Sequence, residues 1–391
     1  NLLPLATFAM EAYGDDPCAL FMPKTKFADN AMDEKTTRLI AQMHKAITII
    51  QFKLEGEIIR RRPEFEMDDR MLLHHIDLKR GVVHIDGKDY TLKDTNWPTL
   101  DPKDPYRLSI EEEDLIRKIL HSFESSEKMK KHMRCFFRHG GMYQVCNSNL
   151  LFHASIPMNP DGTFKSVRIL GQDYKGRALL DRVDQLIRTA YFKTGEQEEV
   201  EYAHDYIWYL WCGEDAPSFG KDKMATFERY FVEDKDLWKE KKSAYYTLYN
   251  EKSVCEMILR EFGLTDQYAH IINGHVPVKT LKGENPVKAG GKLLVIDGGF
   301  SKAYQPETGI AGYTLIFHSR GLQLVQHEPF ESTQKAIEDG IDIISTNFIL
   351  ELNQRRMRVR DTDIGKELEE QIYNLNKLLV AYRNGFIKEK S

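Results

Sequence analysis

The sequence predicts an α/β fold, and three observations lead to this prediction. The composition, with 41% hydrophobic and 29% charged residues in a chain of 391, is ordinary for a globular protein. Apolar residues recur at helical spacing over residues 29–62, and residues 110–139 give a second, highly charged helical block. From Met142 onward, short apolar runs bounded by Gly, Pro and Asn alternate with helical stretches, which is typical of a β-rich core covered by helices.

These patterns divide the chain into three segments. We expect residues 1–139 to be mainly helical additions with a small β-hairpin. Residues 140–330 are expected to form the β-rich core, and residues 331–391 a C-terminal helical segment. The chain is longer than an average domain, so one large α/β domain and two domains are both compatible with its length.

The clearest helix is expected over residues 29–62. Asp29 or Asn30 can cap its N-terminus, and an Arg-Arg-Arg-Pro run at 60–63 ends it. Its apolar positions recur at helical spacing: Leu39, Met43, Ala46, Ile47, Ile50, Leu54 and Ile58. The three arginines could hold a phosphate. Cations at a helix C-terminus are stabilised by the helix dipole, however, and we favour that structural role.

Further elements follow from similar signals. Residues 81–92 alternate as a hairpin with Asp86 and Gly87 at its turn. Residues 110–139 are expected to form two helices separated at "SSEK". Strands are expected at "MYQVC", "NLLFHASIP", "AHIINGHVPV", "KLLVIDGG", "GYTLIFH" and "LQLVQH", with helices near 175–193, 199–211 and 252–262. In the predicted tail helix, residues 361–388, one stripe holds Ile364, Leu368, Ile372, Leu375 and Leu379.

Charge and composition exclude several classes of function. A net charge of −5 and a pI near 6.3 provide no field for binding nucleic acid. No apolar run approaches the roughly 20 residues of a membrane span, and the first residues lack a basic signal-peptide region. We therefore expect a cytoplasmic protein with no membrane partner. Five cysteines, without a C-x-x-C pair, indicate buried thiols rather than disulfides or a zinc site.

Two histidines share a sequence context that favours a metal site. His153 and His275 each follow an apolar strand, and a proline comes within four residues of each. Imidazoles at the ends of adjacent strands can converge on one metal ion while the prolines restrain their loops. Each histidine could instead be a hydrogen-bonded core residue, and the pattern leaves both interpretations open.

Residues 295–317 have features of a phosphate site. Gly298 and Gly299 follow a buried strand and could let a ligand approach the backbone, while Lys302 and Tyr304 supply a cation and a phenolic donor. The spacing is neither that of a P-loop nor that of a serine-hydrolase elbow. In the aromatic stretch 206–231, Lys221 and Lys223 could also supply cations from a loop over a pocket, although a solvated loop is the simpler interpretation.

Four longer motifs carry a family resemblance. "WYLWCGEDAPSFGK", "MATFERYF", "HIINGHVPVK" and "LLVIDGGFSKAYQPETGIAGYTL" resemble the class III fructose-1,6-bisphosphatases of Firmicutes and Bacteroidetes, within the calcineurin-like metallophosphoesterase superfamily. The resemblance implies hydrolysis of the 1-phosphate of fructose 1,6-bisphosphate in gluconeogenesis, with a dinuclear manganese centre. It also implies a four-layer α/β/β/α sandwich, of which this chain would supply mainly the second sheet.

The resemblance assigns roles to particular residues. His153 and His275 match two of the superfamily's metal ligands, and Tyr304 matches a tyrosine near the phosphate in related phosphatases. We add Lys279 and Lys302 because a bound phosphate needs compensating positive charge. Lys221 and Lys223 are second-rank candidates for the same role.

Motifs that the superfamily carries in its N-terminal part are missing from these residues. No Asp-x-His, Gly-Asp-x-x-Asp-Arg-Gly or Gly-Asn-His-Asp element occurs, and the sequence starts at Asn1 within an apolar helical pattern. We therefore expect a C-terminal portion of a longer enzyme, inactive without its missing N-terminal half. The alternatives are a folded module for association or effector binding, and a metallophosphatase of another substrate. A homo-oligomer is compatible with each of them.

Overall fold

In the computed structural model, the described residues are 2–23, 33–301, 304–330, 332–340 and 345–387. The helices are α1 (Leu3–Tyr13), α2 (Glu34–Arg61), α3 (Ile110–Glu124), α4 (Glu127–His139), α5 (Gly176–Phe192), α6 (Gln197–Cys212), α7 (Thr226–Phe231), α8 (Tyr245–Leu248), α9 (Lys252–Glu261), α10 (Gln305–Thr308), α11 (Thr333–Glu338) and α12 (Asp363–Arg383). The strands are β1 (Ile76–Asp77), β2 (Val82–Ile85), β3 (Lys88–Thr91), β4 (Tyr143–Cys146), β5 (Asn149–Phe152), β6 (Val167–Ile169), β7 (Gln172–Tyr174), β8 (His270–Asn273), β9 (Val287–Lys288), β10 (Leu293–Val295), β11 (Gly312–His318), β12 (Gly321–His327) and β13 (Ser345–Leu352). Helices and several sheets in one chain confirm the predicted α/β class.

The chain divides into two compact units. The first unit contains Asn1–Gly140 and Gln185–Lys242. The second unit contains Gly141–Asp184 and Ser243–Ser391. The predicted division into residues 1–139, 140–330 and 331–391 stays a prediction.

Helix α2 lies in the core of the first unit, but only part of its predicted apolar stripe is buried. Ala46 and Ile50 are buried, whereas the other five predicted positions are partly exposed: Leu39, Met43, Ile47, Leu54 and Ile58. Ala41, Ala46 and Ile49 on its buried face have no solvent exposure. The N-terminus is capped by Asp33, whose carboxylate accepts a hydrogen bond of 2.9 Å from the backbone N–H of Thr36. The cap expected at Asp29 or Asn30 is therefore wrong, because the helix begins later in the chain. Those two residues lie outside the described part of the structure.

The arginines at the end of α2 bind carboxylates of the fold. Arg61 and Arg62 both donate through Nε to Oδ2 of Asp205, over 2.9 and 2.7 Å. Burial opposes ionisation of Asp205, but hydrogen bonds from the two guanidinium groups outweigh it and lower the pKa of this carboxyl. Arg60 pairs with Glu57 and Asp104. These ion pairs support the structural role that we favoured over phosphate binding.

The smaller elements of the first unit agree with their sequence signals. Strands β2 and β3 pair as the predicted hairpin, and Asp86 takes the positive φ of 49° that this turn requires. Helices α3 and α4 meet at Ser125–Ser126, and the Ser126 hydroxyl accepts a hydrogen bond from the backbone N–H of Met129.

A cavity of about 40 Å³ in the first unit is lined by a partly buried acidic group. Glu55 lines it together with Arg70 and Cys212, and Arg70 is paired with Glu228 over 2.8 Å. Burial raises the pKa of Glu55, although Gln51 donates a hydrogen bond of 2.8 Å to its carboxylate. The ionised form of Glu55 is therefore less favourable in the folded than in the unfolded protein.

Replacing Glu55 by glutamine is expected to raise the melting temperature increasingly as the pH rises. The folded-state pKa of Glu55 lies above the unfolded value, so the wild-type protein loses stability as the pH rises between these two values. A neutral amide has no such loss. Melting curves from about pH 4 to about pH 8 test this, with Glu113→Gln on an exposed position as the control. A constant difference between Glu55→Gln and wild type across this range would contradict the prediction.

The second unit is built on a mixed five-stranded sheet in the order β4-β5-β8-β10-β9. Its central strands β5, β8 and β10 run parallel, with β4 and β9 antiparallel at the edges. Leu150, Ile271 and Leu293, one from each central strand, have no solvent exposure. Continuous apolar runs are typical of strands that are covered on both faces. The predicted strands "NLLF", "HIIN" and "LLV" are confirmed.

Two smaller antiparallel sheets complete the second unit. Strands β11, β12 and β13 form one, and β6 and β7 form the other. The sequence predicted β11 and β12 but not β13, since residues 345–352 were assigned to a helical segment. Most of β13 is exposed, so it lacks the apolar alternation that identifies a half-buried strand.

All five cysteines are free thiols, as expected, but they are not all buried. Cys18, Cys212 and Cys255 are buried, and burial raises the pKa of each thiol. Cys135 and Cys146 are exposed, which corrects the prediction for these two. Cys135 lies on a helix that buries only Phe137, and Cys146 ends an edge strand.

The described residues were also searched for membrane-spanning helices. None of the helices there has both the length and the apolar character that crossing a bilayer requires.

Candidate metal-ligand site

The parallel pairing of β5 and β8 brings two histidines to one edge of the central sheet. Phe152, the last residue of β5, is paired in register with Asn273, the last residue of β8. His153 follows the first strand directly, and His275 follows the second after Gly274. Because parallel strands end at the same edge, the two imidazoles leave the sheet side by side. This is the arrangement that the sequence predicted.

The two imidazole rings are in direct contact. Nδ1 of His275 lies 3.1 Å from Nε2 of His153. The ring planes are nearly perpendicular, at 84°, with centroids 5.0 Å apart. In this contact the N–H of one ring donates to the ring nitrogen of the other.

A backbone network holds both histidines in place. The side-chain amide of Asn273 is buried and donates to the carbonyl oxygens of Phe152, His153 and Ala154, each over 3.1 Å. The N–H of Gly274 donates to the carbonyl of His153 over 3.0 Å. His275 adopts a left-handed φ of 70°, which is uncommon outside glycine and is typical of functional sites.

The separation of the two nitrogens fits a pair of metal ligands. Two nitrogens that bind one divalent ion at about 2.1 Å lie about 3.0 Å apart at the right angles of an octahedral site and about 3.4 Å apart in a tetrahedral site. The observed separation of 3.1 Å between Nε2 of His153 and Nδ1 of His275 is close to the octahedral value. Within the described residues, however, no group of three or more His, Cys, Asp or Glu side chains is placed to hold a metal. A metal ion at this pair would need further ligands, and the metal-binding role of His153 and His275 stays a prediction.

Asp297 is a residue at this sheet that the sequence analysis missed. It follows β10, the next parallel strand beyond β8. Its carboxylate accepts a hydrogen bond of 3.0 Å from the N–H of Gly299, and its carbonyl accepts one of 2.8 Å from the N–H of Val278. Asp297 therefore fixes the loop that follows His275. The signal was the acidic residue directly after the apolar run "LLVI".

The glycines after Asp297 are required by close packing. A Cβ on Gly298 would lie 2.4 Å from the Cα of Gly312, and one on Gly299 would lie 2.8 Å from the Cβ of Tyr304. Both spaces are filled by the protein itself. Access of a ligand to the backbone of these glycines stays a prediction.

Replacing Gly298 by alanine is expected to destabilise the protein by about 1–3 kcal/mol, because the new methyl group overlaps backbone that cannot rotate away. The closest contact would be the Cα of Gly312 at 2.4 Å. Gly141→Ala is the control, since its Cβ would meet no atom closer than 3.4 Å. Chemical denaturation compares the two variants. Equal losses of stability in both would contradict this account.

Of the three predicted phosphate-binding residues in the second unit, the structure describes Lys279 and Tyr304. Lys302 lies outside the described residues. Lys279 is half-exposed, and its ammonium lies 3.7 Å from the carboxylate of Glu307. Tyr304 is exposed and is the N-cap residue of α10. Their roles toward a phosphate stay predictions.

Lys221 and Lys223 lie in the first unit and pair with carboxylates there. Lys221 donates to Glu240 over 2.8 Å. Lys223 lies 3.7 Å from the buried carboxylate of Glu228. Hydrogen bonds from Lys221 and the Ala225 N–H outweigh burial and lower the pKa of Glu240. Both lysines thus have structural partners, and binding of phosphate by them stays a prediction.

The fold and the histidine pair define an α/β protein with two imidazoles in contact at the ends of parallel strands. Residues 1–384 match the family described as Firmicute fructose-1,6-bisphosphatase, and the chain belongs to this family. The match confirms the family resemblance. It names no wider superfamily, so the metallophosphoesterase sandwich stays a prediction.

Curated relatives show high identity through the whole chain. The class 3 fructose-1,6-bisphosphatase of Parabacteroides distasonis is 83% identical over 390 residues, which cover 100% of this chain and 59% of the relative. The enzymes of the same name from Bacteroides fragilis and Clostridium acetobutylicum are 69% and 56% identical. This chain thus spans about 59% of the length of these relatives. These matches give no support to the expected inactivity of the chain. No solved structure matches it.

Proposed function

We propose that this chain acts in the hydrolysis of the 1-phosphate of fructose 1,6-bisphosphate, and hence in gluconeogenesis in the cytoplasm. The observation that carries the proposal is membership of the Firmicute fructose-1,6-bisphosphatase family over residues 1–384. Relatives with at least 56% identity are named as class 3 enzymes of this activity. The histidine pair offers a chemical centre that suits a metal-dependent phosphatase.

His153 and His275 are the residues that would hold a divalent cation, with manganese as the ion that the family resemblance implies. A divalent ion of this kind supplies Lewis-acid stabilisation of charge on a transferring phosphoryl group. Manganese prefers oxygen ligands and neutralising charge, so the imidazole pair needs carboxylate or water ligands beside it. Asn273 and Gly274 fix the backbone of His153 by hydrogen bonds to its carbonyl, which would help to orient its imidazole toward a cation.

Basic residues near the end of β8 suit a phosphate. Lys279 follows His275 by four residues, and its partner Glu307 is exposed, so little stability is lost when the ammonium turns to another anion. We propose Lys279, Lys302 and Tyr304 as phosphate-binding residues. Lys221 and Lys223 are weaker candidates, because each would leave a partly or fully buried carboxylate without its cation.

Release of orthophosphate from fructose 1,6-bisphosphate by the purified chain with added Mn²⁺ tests the proposal. We expect release that requires the metal and stops when a chelator removes it. The sugar phosphate that remains identifies the ester that is cleaved. Fructose 6-phosphate as the product indicates cleavage of the 1-phosphate, whereas fructose 1-phosphate indicates cleavage of the 6-phosphate. No release with any divalent ion, from a chain that melts cooperatively, would contradict the proposal for this chain.

A second candidate function is a folded module for association or effector binding. One observation favours it: within the described residues, no third metal-ligating side chain joins His153 and His275. A cooperative melt without phosphatase activity, together with binding of a partner or a nucleotide, would support it. A panel of phosphoproteins, nucleotides and sugar phosphates separates a third candidate, a phosphatase of another substrate.

A further inference from the structure

Helix α12 extends from the second unit with its apolar residues uncovered. The N–H of Asp363 donates to the side chain of Asn147 over 2.9 Å, which anchors the start of the helix. Beyond this anchor, every residue from 366 to 380 is exposed to solvent. A helix of 21 residues obtains most of its stability from packing of an apolar face. This helix therefore needs a partner.

The apolar residues of α12 follow the heptad repeat of a coiled coil. They recur at alternating intervals of four and three residues, which places them on one seam: Leu368, Ile372, Leu375, Leu379 and Tyr382. Leu375 is 64% exposed and Ile372 is 58% exposed, although both lie at seam positions. A helix with this repeat buries its seam against another helix of the same kind.

We propose that the α12 helices of two copies of this chain pair as an antiparallel coiled coil and form a homodimer. The proposal involves neither His153 nor His275, so it stands independently of the proposed function. A two-fold axis would pass close to the middle of the helix, near Asn376. A two-fold interface is self-complementary: if one residue of the first copy contacts a second residue of the other copy, the reverse contact is made as well.

The charges beside the seam favour this partner and this direction. Glu369 and Arg383 both flank the seam on the same side, seven residues before and seven after Asn376. In an antiparallel pair, equal flanking positions face each other. Glu369 of each copy therefore faces Arg383 of the second copy, and Asn376 faces its own equivalent. The pairing makes two opposite-charge contacts and no like-charge contact at these positions.

A parallel pair would lack this complementarity. There, flanking positions from opposite sides of the seam face each other, so Gln371 would meet Asn376 and Leu378 would meet Arg383. Neither contact joins opposite charges. On the other flank of the antiparallel pair, Leu378 meets Leu378 of the second copy near the axis and adds apolar area. The sequence of α12 thus fits an antiparallel copy of itself.

Charge-swap variants of α12 test the proposal by sedimentation equilibrium of the whole chain. We expect a dimer for the wild type. Glu369→Arg alone and Arg383→Glu alone each create two like-charge contacts and should raise the dimer dissociation constant by about tenfold. The double variant Glu369→Arg with Arg383→Glu restores opposite charges and should regain the wild-type value. Leu375→Lys, in the seam, should give a monomer.

Other outcomes would overturn the proposal. A wild-type chain that stays monomeric at about 100 μM excludes the homodimer. A dimer that is indifferent to both single charge variants excludes the antiparallel register. A monomer in which Leu375→Lys lowers the melting temperature would show that the same chain covers the helix. Circular dichroism checks that each variant keeps the fold. We expect it to be kept, because the substituted residues are exposed.

Discussion

Replacing His275 by alanine is expected to lower the rate of phosphate release from fructose 1,6-bisphosphate by about 100-fold or more. The imidazole of His275 lies 3.1 Å from that of His153, where it would provide one of two nitrogen ligands to a catalytic cation. Loss of one such ligand weakens metal binding and removes several kcal/mol of transition-state stabilisation. Steady-state assays with saturating Mn²⁺ measure the effect.

A second substitution separates the role of the ring from the role of the backbone at this position. His275 has a left-handed φ of 70°, which asparagine tolerates better than alanine does. His275→Asn should therefore fold like the wild type and still lose activity. His121→Ala, on an exposed face of α3, is the matched control and should keep the wild-type rate. Full activity in both His275 variants would contradict the assignment.

Replacing Lys53 by methionine is expected to lower the free energy of unfolding by about 3–5 kcal/mol. Lys53 and Glu112 form an ion pair over 2.6 Å, and both side chains have no solvent exposure. The ammonium also donates to the carbonyl of Thr99 over 2.6 Å. Methionine fills the space but leaves the carboxylate of Glu112 buried without its cation.

Two further variants give this prediction its controls. The double variant Lys53→Met with Glu112→Gln removes the uncompensated charge and should recover part of the lost stability, while the amide oxygen can still accept from the N–H of Ser109. Lys118→Met breaks the exposed pair with Asp114 and should cost less than about 1 kcal/mol. Chemical denaturation that gives equal losses for Lys53→Met and Lys118→Met would contradict the argument.

Local signals in the sequence were sufficient for most helices and strands. The spacing of Ala46 and Ile50 predicted the buried face of α2, and Asp86-Gly87 predicted the hairpin turn. The pairing of His153 with His275 was predictable because each follows an apolar run, and parallel strands end at one edge of a sheet. These features depend on neighbours close in sequence or on a general rule of sheet topology.

Other features depend on contacts between distant residues, and sequence alone could not identify them. Nothing near Arg61 indicates that Asp205 would bind it. The residues around Gly298 in the sequence do not indicate that the backbone of Gly312 occupies the position where its Cβ would lie. Strand β13 has few buried residues, so its pairing with β12 leaves little trace in its hydrophobic pattern.

The central claim is that His153 and His275 bind one divalent cation together. Electron spin echo measurements of Mn²⁺ added to the purified chain detect nitrogen ligands directly. We expect couplings from two imidazole nitrogens in the wild type, from one in His153→Ala or His275→Ala, and from none in the double variant. Bound Mn²⁺ without nitrogen couplings, or couplings unchanged in the double variant, would contradict the claim.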